Sequence, residues 1–269
     1  MRIGNETITA SSLGKRRRMF RMFGNKGKCI VVPLDDNLIS KYNDGLKDLQ
    51  SKIEDIQEAS PNGVLCYLGT ASTIDKYEIP IILNLTASTE YTAHTKKVLV
   101  SSIEQAIAID AAAVAVHINI SSAYEPAMLE NLGRVSEMCQ KYGIPLLAIV
   151  YPRTEKDGKD YNYEDLKKEN EAEYTKLVCH CVRIAFELGA DIIKTQYTGS
   201  VGSFRKVIQA ANGIPVLIAG GKMVDDNKLY SMVSDSIEAG GAGISIGRNV
   251  FNRKDSLVVI EKLRKIVFE

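Results

Sequence analysis

Short apolar runs of four to six residues recur along the chain, at 29–34, 63–68, 81–85, 113–118, 145–150, 191–195, 215–219 and 243–246. Runs this short, with little polar alternation and many Val, Ile and Leu residues, are the pattern of parallel strands buried on both faces. Between them the spacing changes to that of helices. Leu46, Leu49, Ile53 and Ile56 share one face, as do Leu129, Leu132, Val135 and Met138, and again Leu177, Cys181, Ile184 and Leu188. Ser101 and Glu104 are spaced as a capping box, and Ser256 stands where it would cap a last helix carrying Val259, Leu263 and Ile266. The second helix has little room, because only residues 70–80 separate the second and third runs. Gly143-Ile144-Pro145 and Gly213-Ile214-Pro215 repeat one connection, with glycine ending a helix and proline entering a strand.

Eight strand–helix units predict a single-domain α/β fold, the (β/α)8 TIM barrel. An open doubly wound sheet is the competing architecture, and it is disfavoured because no GxGxxG turn follows the first run. The 269 residues, 45% hydrophobic and 25% charged, suit one barrel-sized core. Residues 1–28 read as a basic arm preceding a barrel over 29–269. In that arm Arg16, Arg17, Arg18 and Arg21 interleave with Met19, Phe20, Met22 and Phe23. So short a basic run is read as a solvated arm or an amphipathic cap over a barrel end or subunit surface, in preference to a nucleic-acid site.

Charge and composition remove several classes of partner. Thirty-four basic residues against 33 acidic ones leave a net charge of +1, so no global field draws nucleic acid or an anionic membrane. No apolar run is long enough to span a bilayer, and the N-terminus lacks a signal-type apolar core, which sets the expectation of a cytoplasmic protein. The five cysteines form no CxxC pair and read as structural thiols.

A barrel of this kind places its chemistry just beyond the strands, on the C-terminal face. Asp35-Asp36 follows the first run, Asn119 the fourth, Tyr151-Pro152-Arg153 the fifth, Gly220-Gly221-Lys222 the seventh and Gly247-Arg248-Asn249 the eighth. Lys194 ends the sixth run, Asp191-Ile192-Ile193-Lys194-Thr195, ahead of Tyr197-Thr198-Gly199-Ser200. Burial in such a strand disfavours the ammonium and leaves a nucleophilic amine, a candidate for Schiff-base formation. The blander alternative is a lysine whose stem packs while its head escapes to solvent. The glycines after the seventh and eighth runs let backbone N–H groups approach a phosphate, with Arg248 adding a charged contact, although tight turns alone would also use them. Taken alone, Tyr151 reads more readily as an interfacial aromatic and His117 as a core or near-mouth residue, and Asp35 reads as well as a helix cap. His94, His117 and His180 are scattered along the chain and suggest no metal cluster, so neither metal nor organic cofactor is expected. The polar segment 154–170 is a plausible lid, and the Ser- and Thr-rich stretch 86–95 a source of contacts to substrate hydroxyls.

Val32-Pro33-Leu34-Asp35, Tyr151-Pro152-Arg153, Ile193-Lys194-Thr195-Gln196-Tyr197-Thr198-Gly199, Ala219-Gly220-Gly221 and Ile246-Gly247-Arg248-Asn249 together resemble the DhnA-type class I aldolases. The likeness runs from about residue 15 to the C-terminus. It implies catalysis by Lys194, Tyr151 and Asp35: Lys194 forms an iminium with a keto sugar, Tyr151 moves the proton at the reacting hydroxyl, and Asp35 assists imine formation or holds hydroxyls. It also implies substrate and phosphate contacts from Arg153, Gly220, Gly221, Gly247 and Arg248, with Asp36 on the same rim.

The tyrosine and lysine motifs are most similar to the 2-amino-3,7-dideoxy-D-threo-hept-6-ulosonate synthases, with enzymes joining aspartate semialdehyde to a triose phosphate as near relatives. The resemblance therefore implies a lyase or transaldolase-type transferase acting on a phosphorylated keto sugar and an aldehyde, and a higher homo-oligomer. Fructose-bisphosphate aldolase is the alternative within the family. One departure stands out, since many relatives carry His-Gly where this chain has Asp36-Asn37. A second carboxylate there either repels phosphate or recognises a cationic amine. That departure keeps open a non-catalytic phosphosugar-binding barrel. A phosphate-binding isomerase is a third reading, and both differ from an aldolase in not needing Lys194.

Overall fold

The computed structural model describes residues 10–39, 43–74, 79–91 and 94–269. Eight parallel strands close into a barrel: Cys29–Pro33, Gly63–Cys66, Ile81–Asn84, Ala113–Ile120, Leu146–Pro152, Ile192–Gln196, Val216–Ala219 and Gly243–Ser245. They pair in sequence order, and the eighth closes on the first through Cys29 opposite Gly243. Every predicted run overlaps one of these strands, with shifted ends. The fourth and fifth strands run two residues further than predicted, so Asn119 and Tyr151 lie within strands, paired with each other, and not after them. The second strand stops at Cys66 because the one-turn helix Leu68–Ala71 begins there, and part of residues 70–80 (75–78) lies outside the described residues.

Strand side chains alternate between the two faces. Cys29, Val31, Leu65, Ile82, Ala113, Ala115, Leu147, Ile149, Ile192 and Leu217 point inward and form a buried apolar barrel interior. Their intervening neighbours, such as Ile30, Val32, Val64, Val114, Val116 and Ile193, face the helices and form the larger core. The helix Ala10–Phe23 closes the N-terminal end: Met22 and Phe23 join the interior cluster. Lys15 pairs with Asp191 at 2.8 Å, Arg18 donates to the Gly143 carbonyl at 3.2 Å and Arg21 pairs with Asp110, all three partners lying just ahead of barrel strands. Arg16, Arg17 and Phe20 remain exposed.

Helix ends required two corrections. The capping box belongs to Ser102 and Gln105, one residue beyond Ser101 and Glu104, and opens the helix Ile103–Ala108. Ser256 does not cap the last helix; it is buried, and its hydroxyl donates inward to the Val250 and Arg253 carbonyls. In the helix Glu171–Glu187 the buried stripe is Tyr174, Val178, Cys181 and Ala185, with Leu177, Ile184 and Leu188 only on its flanks. Tyr174 widened the apolar face in a way that Leu and Ile spacing alone did not reveal.

Gly243 starts the eighth strand at φ +134°, and a Cβ there would lie 1.8 Å from the Cys29 carbonyl oxygen. The closing pair of strands therefore meets through a residue without a side chain. Gly243→Ala is expected to lower the unfolding free energy by about 3 kcal/mol or more, since it combines a strained φ with a backbone clash. Urea denaturation measures it, and an unchanged midpoint would show that the seam relaxes freely.

Candidate active site

Following the inward alternation to the C-terminal end of each strand changes its chemistry from apolar to polar. Asp35 continues the row of Cys29 and Val31, Asn84 that of Ile82, His117 and Asn119 that of Ala115, Tyr151 and Arg153 that of Ile149, and Lys194 that of Ile192. Of these, Asp35, His117, Tyr151, Arg153 and Lys194 border a cavity of about 600 Å³, into which Gly220, Gly221, Gly247, Arg248 and Asp36 also face. All nine residues singled out from the sequence thus line one mouth.

Lys194 is buried, beside Ile149 and Leu217 in the flanking strands. Burial holds its amine below the usual lysine range; Arg248 pushes the same way, while Asp35 and Asp36 oppose. Burial moves the Asp35 carboxyl above the usual carboxylate range, against the charge of Lys194 and a 2.8 Å hydrogen bond from Asn84 Nδ2. Desolvation therefore acts on both groups to favour an amine beside an acid over an ion pair. Such a pair exchanges a proton at little cost.

Tyr151 is also buried, and that burial raises its hydroxyl above the ordinary phenol range, with Arg153 opposing and Asp35 reinforcing. It stays protonated at neutral pH. The His117 ring meets Tyr151 edge-on with centroids 5.1 Å apart, and the Arg153 guanidinium lies 5.8 Å from the ring centre. Arg153 Nε donates to Asn162 Oδ1 at 2.6 Å, whereas its buried Nη1 has no partner.

The opposite rim is built from the ends of the last two strands. Gly221 has φ +65°, and Ile246 fills the space that a Gly220 Cβ would need, at 2.6 Å. Asn249, fully buried, donates to the Gly220 and Lys222 carbonyls and accepts from the Val224 N–H, stapling the two glycine loops together. Arg248 Nε lies 3.8 Å from Asp36 Oδ1, and Asp36 Oδ2 accepts from Asn43 Nδ2 at 2.9 Å. Ser245 ends the eighth strand buried in this rim, and its hydroxyl has no partner. An unpaired hydroxyl at that depth is an unmet hydrogen bond.

Several site residues escaped sequence reasoning. Ser245 lines the cavity and Asn84 hydrogen-bonds Asp35; both stand at the inward positions of strand ends, so the period-two alternation was a sufficient signal for both. His94 and Lys97 had no such signal. Lys97 is buried, and its amine is pulled down to about 7 by burial and Arg153, with Asp35 and Asp160 opposing. His94 and His117, read from sequence as scattered, both line the cavity, while His180 lies exposed on its helix. Burial, then Lys97 and Arg153, push His94 down to about 2 and His117 well below its usual range, so both rings are neutral. Among the described residues no three His, Cys, Asp or Glu side chains gather as a metal-binding group.

Two sequence expectations change shape. Within 86–95, Thr86, Ser88 and Thr95 are buried and already engaged: Thr86 Oγ1 accepts the His117 N–H at 2.8 Å, Ser88 accepts from Lys97, and Thr95 donates to Glu155. They hold the rim and are not open to sugar hydroxyls; Thr92 lies outside the described residues. The polar segment after Arg153 is a hairpin, Thr154–Lys156 against Lys159–Tyr161, followed by the helix Glu164–Glu169. Asp160, Asn162 and Glu164 face the cavity, and Glu164 reaches Lys222 on the far rim at 3.9 Å. Among the described residues no helix is long and apolar enough to cross a membrane.

A closed (β/α)8 barrel with a desolvated lysine, a tyrosine and an aspartate at one mouth defines the Schiff-base class of barrel enzymes. The chain belongs to the DeoC/LacD family of aldolases, whose profile matches residues 29–253. It is 36% identical to 2-amino-3,7-dideoxy-D-threo-hept-6-ulosonate synthase 1 of Archaeoglobus fulgidus, over 95% of this chain and 91% of that one. It is 31% identical to the 2-amino-4,5-dihydroxy-6-oxo-7-(phosphonooxy)heptanoate synthase of Streptomyces griseus, over 89% and 85% of the two chains. Among solved structures it superimposes with a TM-score of 0.80 on an archaeal fructose-1,6-bisphosphate aldolase whose catalytic lysine is covalently bound to the carbinolamine intermediate. That match has 28% identity and covers 94% of this chain and 99% of that one. With these relatives the chain is an enzyme of the class I aldolase type.

Proposed function

We propose that the protein forms or cleaves a carbon–carbon bond in a phosphorylated keto sugar through an iminium on Lys194. The observation that carries this reading is the buried Lys194 amine, held below its usual range at a mouth shared with Asp35 and Tyr151. In the synthetic direction the amine adds to the substrate ketone, Asp35 donates the proton with which the oxygen leaves as water, and an iminium remains. The Asp35 carboxylate left by that step takes a proton from the adjacent carbon to give the enamine, which attacks the aldehyde carbon while Tyr151 protonates the new alkoxide and is itself reprotonated as water adds to the product iminium. Water then releases the product and restores the amine. Cleavage runs these steps in reverse.

The substrate phosphate sits against Gly220, Gly221 and Gly247, with Arg248 and the unpaired Ser245 hydroxyl as donors; Arg153 Nη1, equally unpaired, serves the other end of the substrate. The Asp36 carboxylate, engaged with Arg248 and Asn43, supports a role in placing Arg248, in preference to binding a free ammonium. The reaction is most like that named for the Archaeoglobus fulgidus relative; for this chain we take a ketose phosphate as donor and aspartate semialdehyde as acceptor. The second reading, fructose-bisphosphate cleavage, is supported by the structural likeness to the archaeal aldolase. The hairpin after Arg153 acts as a lid, and the enzyme works in the cytoplasm as a homo-oligomer.

Borohydride reduction followed by peptide mass spectrometry tests the mechanism, with dihydroxyacetone phosphate, fructose 1,6-bisphosphate and a deoxyketohexose phosphate, each with and without aspartate semialdehyde. The expected result is a reduced adduct on Lys194, and the donor giving the fullest labelling indicates the substrate branch. Folded protein that yields no adduct with any of them would instead be a binding barrel or an isomerase.

Imine formation should also carry a signature in pH. Asp36 favours the ammonium of Lys194, so Asp36→Asn removes that support and frees the opposing charge of Arg248. Both changes lower the amine's pKa, and the acid limb of the trapping rate moves to lower pH. An unmoved or oppositely shifted limb would mean that Asp36 does not act on Lys194.

A further inference from the structure

The segment holding His94 follows the third strand, which lies diametrically across the ring from the seventh strand and its Gly220-Gly221 rim. A substrate with its phosphate on that rim and its ketone carbon at Lys194 extends toward the third strand; this step rests on the aldolase reading above. His94 lines the cavity there. Its Nδ1 is 3.0 Å from Ser88 Oγ and 3.1 Å from Lys97 Nζ, and Lys97 donates to the same serine at 2.5 Å. A Lys97 ammonium has protons only to give, so with it at 3.1 Å Nδ1 is the acceptor, and the Ser88 hydroxyl proton is free to point there as well. A neutral imidazole accepting at Nδ1 carries its proton on Nε2. Burial beside Lys97, Arg153 and Arg248 keeps the ring neutral. The backbone is fixed as well, because Asn119 Nδ2 donates to the His94 and Thr95 carbonyls, and Ser122 donates to that of Thr95.

We infer that His94 binds the acceptor, donating its ring N–H to an oxygen that the aldehyde carries beyond its reacting carbonyl, and that Lys97 is the positioning residue that sets this tautomer. Steady-state kinetics with dihydroxyacetone phosphate as donor and three aldehydes test it: aspartate semialdehyde, glyceraldehyde 3-phosphate and butyraldehyde, which lacks such an oxygen. His94→Leu is expected to raise KM for the two oxygenated aldehydes about tenfold, the loss of one hydrogen bond, and to leave butyraldehyde within about twofold. Lys97→Met should move the same constants in the same direction. His94→Gln keeps a donor near the Nε2 position and retains KM within about threefold, whereas His94→Asn does not; this pair decides the matter if the larger changes unfold the protein.

Borohydride trapping on Lys194 with ketose alone should be unaffected in all four variants. Equal losses on all three aldehydes, or none on any, would overturn the assignment while an intact Lys194 adduct leaves the aldolase reading standing. Absence of the adduct in the unaltered protein would defeat that reading instead.

Discussion

Lys194→Met is expected to lower kcat/KM by about ten-thousandfold or more, because it deletes the only group in the cavity proposed to bond to the substrate. Methionine has similar length and suits the apolar setting beside Ile149 and Leu217, so the fold should not suffer. Thermal stability should hold or rise, since the native lysine loses hydration on burial. Lys194→Arg should be equally inactive, as a guanidinium is charged at all accessible pH values and does not add to ketones. A binding barrel would keep its affinity for phosphorylated sugars in both variants and show no turnover to lose. Measured turnover within tenfold of the unaltered protein in either variant would remove the iminium mechanism.

The second large effect should come from Tyr151→Phe, which is expected to reduce kcat by about a hundredfold to a thousandfold. The ring remains, with its edge contact to His117, and only the hydroxyl that carries the proton is lost. Imine formation does not pass through that hydroxyl, so the borohydride adduct on Lys194 should still form with ketose alone. The variant thus separates the two halves of the reaction: trapping persists while carbon–carbon bond formation fails. If trapping and turnover fell together, Tyr151 would belong to the dehydration step, and Asp35 would lose its place there.

Much of the site was legible before any coordinates because a parallel barrel converts order along the chain into order around a ring. Each apolar run ends at the same face, so Asp35, Tyr151, Lys194, Gly220 and Gly247, spread over more than 200 residues, were bound to meet once eight runs were recognised. Asn84 and Ser245 follow by the same logic, two residues beyond Ile82 and Gly243, but a run taken as one apolar block hides them, since only its alternating faces mark the inward positions.

What local pattern determined, then, was the barrel and the convergence of Lys194, Tyr151 and Asp35 on one face, since each depends on periodicity or on position relative to a strand end; their proposed roles came from the resemblance to the aldolases. Only the tertiary structure decided the environments: that Asp36 pairs with Arg248, that Asn249 ties two loops together, and that His94 joins the mouth, with Lys97 buried against it, from a connection without regular periodicity. Desolvation and hydrogen bonding depend on which groups approach through space, and residues 212 positions apart, such as Asp36 and Arg248, carry no local trace of their meeting.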